Sequence, residues 1–78
     1  MEILTLRDNN EIYQGEVLNN VKVGYGKLWN EDFNYYGNFK NNKFEGKGVL
    51  EYKNNKILKK YIGEFKNGNK YGYGKEIY

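Results

Sequence analysis

Nine of the ten glycines in this 78-residue chain fall in one repeating frame. Tyr13-Gln14-Gly15-Glu16-Val17 leads to Gly24 and Gly26, and Tyr35-Tyr36-Gly37-Asn38-Phe39 leads to Gly46 and Gly48. Tyr61-Ile62-Gly63-Glu64-Phe65 leads to Gly72 and Gly74. In each copy the second glycine follows the first by nine residues and the third follows by two more. The tenth, Gly68, follows Asn67 in a turn position. Scattered glycines do not keep such spacing. Self-similarity of this kind marks a repeat array, in which each unit buries its face only against its neighbours.

Each unit reads as a β-hairpin. Asn67-Gly68 is the strongest hairpin signal in the chain, and Asn19-Asn20 and Asn41-Asn42 occupy the matching places, since asparagine tolerates the positive φ of a type I′ turn. Strands are expected at about 2–7, 12–18, 23–30, 34–40, 45–53, 58–66 and 71–78. Asp8-Asn9-Asn10 and residues 29–34 connect the first hairpins. Gly37 to Gly63 spans 26 residues where Gly15 to Gly37 spans 22, and the excess is assigned to a longer connection around Asn54–Lys60, because loops absorb insertions. No stretch has sustained helical periodicity. The fold class expected is all-β: an elongated single-layer antiparallel meander of about three hairpin units.

A two-residue turn sets a register. It pairs Gly15 with Gly24, Gly37 with Gly46 and Gly63 with Gly72, and it places Tyr13, Tyr35 and Tyr61 opposite Gly26, Gly48 and Gly74. Side chains alternate along a strand, so rings and bare glycines share a face, and a ring laid over a glycine recovers lost contact area. The expected core is the ladder Tyr13, Val17, Leu28, Tyr35, Phe39, Phe44, Leu50, Tyr52, Tyr61, Phe65 and Tyr78. A single layer is expected to cover these rings only in part. On the opposite face Tyr25, Trp29, Tyr36 and Tyr73 stand out. High strand propensity accounts for some of this; the functional reading is that they anchor a protein partner, because tyrosine and tryptophan dominate binding hot spots.

Composition excludes more than it assigns. There is no cysteine and no histidine, which removes thiolate chemistry, the usual general base and the commonest nitrogen ligand for zinc. Thr5 is the single serine/threonine-type hydroxyl, so nucleophilic catalysis has almost no candidate. Glu31-Asp32 lies in a turn and reads as solvated acids. The Gly-x-Gly pairs look like phosphate-cradling loops, but a strand and not a helix follows each one. No catalytic residue, cofactor or metal is therefore expected. The net charge of +3 comes almost wholly from lysine, mixed with glutamate and placed near turns, which points to solubility and edge protection and away from nucleic acid.

The frame resembles the MORN repeat, Y-x-G-x-[W/F]-x-N-G-x-x-x-G-x-G, from about Tyr13 to Tyr78. Val17 departs from the usual aromatic, Asn20 and Asn42 from the turn glycine, and Glu76 from an apolar position. The resemblance divides the chain into a leading half repeat at 1–12 and repeats at 13–34, 35–60 and 61–78. It implies a non-enzymatic scaffold, cytoplasmic and associated with membrane or cytoskeleton, that binds a protein partner or itself; Tyr25, Trp29, Tyr36 and Tyr73, read above from the outer face, are the anchors expected for that partner. The alternative is peripheral attachment to anionic phospholipid headgroups through Lys53, Lys56, Lys59 and Lys60, a weak, salt-sensitive contact of about 1 kcal/mol per lysine. Unpaired edge strands also invite association: Ile3, Leu4 and Leu6 leave the first edge unguarded, while Lys75 and Glu76 partly guard the last.

Overall fold

The computed structural model describes residues 2–78; Met1, assigned above to the leading half repeat, lies outside them. The strands are β1 (Glu2–Arg7), β2 (Ile12–Leu18), β3 (Val21–Trp29), β4 (Phe33–Lys40), β5 (Lys43–Tyr52), β6 (Lys60–Lys66) and β7 (Asn69–Ile77). They form one sheet in chain order, each antiparallel to the next, with extents of 37 × 27 × 15 Å. The turns are as the sequence dictates: φ is 50° and 64° at Asn19 and Asn20, 50° and 70° at Asn41 and Asn42, and 51° and 84° at Asn67 and Gly68. These tight tips let strands pair right up to the turn, so β3, β5 and β7 each begin two residues before their expected starts.

The register corrects one expectation. Near each tip the expected pairs form: Val17 faces Lys22, Phe39 faces Phe44 and Phe65 faces Lys70. Further from the tip Gly15 faces Gly26, Gly37 faces Gly48 and Gly63 faces Gly74, and not Gly24, Gly46 and Gly72. Tyr13, Tyr35 and Tyr61 accordingly face Leu28, Leu50 and Glu76. A bulge on each return strand takes up the difference, at Gly24, Gly46 and Gly72, whose φ values of 60°, 71° and 63° only glycine adopts at low cost. The slip is two residues, an even number, so every ring keeps its face.

The corrected register joins the repeats as well. Gly26 faces Gly37 and Gly48 faces Gly63, so Gly15, Gly26, Gly37, Gly48, Gly63 and Gly74 form a continuous row from β2 to β7. A row without side chains is where the sheet folds toward its ring face, and the tyrosines fill the crease. A methyl group added at Gly26 would sit 2.5 Å from Tyr13 Cε1, and one at Gly48 would sit 2.6 Å from Tyr35 Cε1. One at Gly74 would meet the Tyr61 ring and hydroxyl. Each hydroxyl then donates to the carbonyl three residues on: Tyr13 to Glu16 at 2.8 Å, Tyr35 to Asn38 at 2.9 Å and Tyr61 to Glu64 at 3.1 Å.

The fold in the sheet buries the ladder more fully than a flat layer would. Tyr13, Val17, Leu28, Tyr35, Phe39, Leu50, Tyr61 and Phe65 are buried, with Tyr35 at 0 % exposure. Leu4, Leu6, Phe33, Phe44 and Tyr52 pack against them. Tyr35 stacks on Phe44 with centroids 3.8 Å apart and takes edge contacts from Phe39 at 5.2 Å and Phe65 at 5.3 Å. Hairpin tips close the layer: Asn42 N donates to Lys22 O at 3.1 Å and Gly68 N to Phe44 O at 3.0 Å, so the second and third tips rest on the preceding return strand. Tyr78 does not join the ladder; it follows β7 and is 70 % exposed.

Candidate docking surface

The bulge shapes the outer face. It turns the backbone so that the Cβ direction of Gly24 points at the Glu16 carboxylate, and Tyr25 N donates to Glu16 Oε2. Asn38 holds the corresponding place in the second repeat, its Nδ2 donating to Lys47 O at 3.2 Å, and Glu64 lies beside Gly72 in the third. The residue after the first glycine of each frame is thus a polar side chain set against its bulge, clasping it by a hydrogen bond in the first two repeats. The sequence reading left these three unassigned, although all three are hydrogen-bonding side chains at one frame position, which is the signal that marks them.

The clasped bulges present the middle residue of each Gly-x-Gly outward. Tyr25, Lys47 and Tyr73 stand on one side of the glycine row, and Tyr36, Val49 and Ile62, which pair in register across β4, β5 and β6, stand on the other. Between them lies a depression of about 480 Å³, also lined by Gly37, Gly48, Gly63, Asn38 and Glu64. Its rings are open to solvent: Tyr25 is 56 % exposed and Tyr73 is 88 % exposed. The Lys27 ammonium lies 5.8 Å from the Tyr36 ring. Burial, and then the neighbouring Glu51 carboxylate, hold the Tyr36 phenol above its ordinary value. On the ring face, burial pushes the Tyr13 and Tyr35 phenols up to about 12, and the Glu16 charge adds to the effect at Tyr13.

The structure therefore brings three of the four expected anchors together. Trp29 lies apart from them. It is half-buried and lines a second depression, at the connection end, with Ile12, Asp8, Glu11 and Glu31. The four lysines are divided. Lys53 Nζ donates to Asn30 O at 2.6 Å, and Lys60 pairs with Glu51 at 3.6 Å. Lys56 and Lys59 stand exposed. Glu31 and Asp32 lie in the exposed turn expected for them, and among the described residues no group of three or more acids is placed to hold a metal ion. At the first edge Leu4 and Leu6 pack on the core, and Ile3 is 70 % exposed.

The family model described as MORN repeat matches residues 13–33, 35–57 and 61–78. No curated protein matches the chain. MORN repeats are non-enzymatic modules associated with protein or membrane interaction. The three matches cover most of the chain, and each holds one tyrosine over one glycine of the crease. With frame, fold and family model in agreement, the chain belongs to the MORN-repeat family.

Proposed function

We propose that this chain is a non-enzymatic interaction module that holds a protein partner against its outer face. One observation carries the reading: Tyr25, Tyr36 and Tyr73 converge with Val49 and Ile62 on a single depression while remaining outside the core. Rigid aromatic side chains that contribute little to the fold and flank an apolar floor are what hot-spot anchoring needs. Attachment to phospholipid headgroups draws less support, because Lys53 and Lys60 are engaged within the chain and only Lys56 and Lys59 are free to reach a surface.

The test is a pull-down with the immobilised chain, wild type against Tyr25→Ser/Tyr73→Ser. Both side chains are exposed, so the variant is expected to unfold at the same denaturant concentration as wild type and to lose its captured protein. Retention of the same protein in equal amount overturns the reading. Flotation with anionic vesicles at low and physiological salt checks the lipid alternative, and its loss at physiological salt counts against that role.

A further inference from the structure

The connection between β5 and β6 carries a feature that neither the core nor the outer-face depression uses. Ile57 is 71 % exposed and stands between exposed Lys56 and Lys59. Its backbone is fixed: Ile57 N and Leu58 N both donate to Asn55 Oδ1, at 2.9 and 2.8 Å. The side chain is therefore presented to solvent by a defined loop. The same end of the sheet holds the second depression, about 480 Å³, where Ile12 and Trp29 supply apolar surface and Asp8, Glu11 and Glu31 supply charge. Arg7 and Lys53 also line it, the Lys53 ammonium held by the Asn30 carbonyl, so the carboxylates outnumber the cations by one. Among the described residues none of the three carboxylates is in an ion pair. An apolar recess with an acidic rim thus shares one end of the molecule with an aliphatic knob between cations.

We infer that the occupant of this depression is the β5–β6 connection of a second copy of this chain, with Ile57 seated against Trp29 and Ile12 and with Lys56 and Lys59 against the three carboxylates. Knob and recess lie side by side at this end of the sheet, where Asn54 Nδ2 of the same connection donates to Glu31 O at 2.9 Å. A two-fold axis between them makes both contacts at once, and the assembly closes as a dimer. The contact is small, so the dimer is weak, with a dissociation constant of micromolar order. The surface shares no residue with the Tyr25–Tyr36–Tyr73 depression, which stays open in the dimer.

Sedimentation of the full chain over about 10–500 µM protein in about 50 mM salt reads the association. A monomer–dimer equilibrium is expected, weakened about tenfold by raising salt to about 0.5 M. Ile57→Ser is expected to weaken it about tenfold, and Lys56→Glu/Lys59→Glu and Glu11→Lys/Glu31→Lys are each expected to be monomeric. Mixing these two charge-reversed variants restores complementary pairs at both contacts and recovers the dimer. Tyr25→Ser/Tyr73→Ser is expected to dimerise as wild type does, which separates this inference from the outer-face reading. A wild type that stays monomeric throughout overturns the inference. So does an Ile57→Ser chain that dimerises as tightly as wild type, or a mixture that fails to recover the dimer. A monomer whose Lys56 and Lys59 are instead required for binding anionic vesicles overturns it in favour of lipid.

Discussion

The Tyr35 hydroxyl donates to the Asn38 carbonyl at 2.9 Å from within the same strand, and it does so across the crease that Gly48 leaves open. The bond clips the ring into the fold of the sheet, and Tyr13 and Tyr61 repeat it with Glu16 and Glu64. Tyr35→Phe keeps the ring and removes the donor, leaving a partly buried carbonyl without its partner. A loss of about 1–2 kcal/mol is expected, read from urea unfolding. An unchanged midpoint would mean that water replaces the hydroxyl without cost.

Gly48→Val tests the crease itself. Valine is the better strand former, yet its Cβ would lie 2.6 Å from Tyr35 Cε1, against a ring with no exposed surface to move into. Overpacking of this kind is expected to destabilise the chain by about 3 kcal/mol. A rise in stability would show that the ring does not occupy that space.

High pH acts on the same rings. Burial raises the Tyr13 and Tyr35 phenols to about 12, so the folded chain keeps protons that the unfolded chain gives up near 10. The unfolded state thus binds fewer protons above that point, and stability falls with rising pH. The contribution of these phenols is complete below about pH 10 and is lost as pH climbs through about 12. Tyrosinate absorbance and the far-ultraviolet sheet signal, followed together, are expected to show these two phenols ionising as the sheet is lost. Full ionisation of all tyrosines with the sheet intact would contradict the burial described here.

Much of this architecture is legible in the amino-acid order, and the parts that are not have identifiable causes. The asparagine and asparagine–glycine turns fix the hairpins, because few residues accept φ between 50° and 84° at both turn positions. Alternation places Tyr13, Tyr35 and Tyr61 on one face and Tyr25, Tyr36 and Tyr73 on the other, and both placements hold. The extension of turn register past the bulge does not. It sets Lys47 opposite Tyr36, where the structure sets Val49, so the apolar side of the depression is hidden until the bulge is known. The cue lies in Gly24, Gly46 and Gly72, which have no ring to lie under and so must serve the backbone. Trp29 shares the outer face but sits at the connection end, a separation along the strand that alternation cannot register.

The row of paired glycines determines which side chains enter the core and which ones line the depression. Cross-strand Hα–Hα contacts in a nuclear Overhauser spectrum read it directly, since facing Cα atoms of an antiparallel pair lie about 4.5–5.5 Å apart. Contacts are expected between Gly15 and Gly26, Gly37 and Gly48, and Gly63 and Gly74. Contacts joining Gly15 to Gly24, Gly37 to Gly46 and Gly63 to Gly72 would contradict the account, removing the bulges and, with them, the surface formed by Tyr25, Tyr36 and Tyr73.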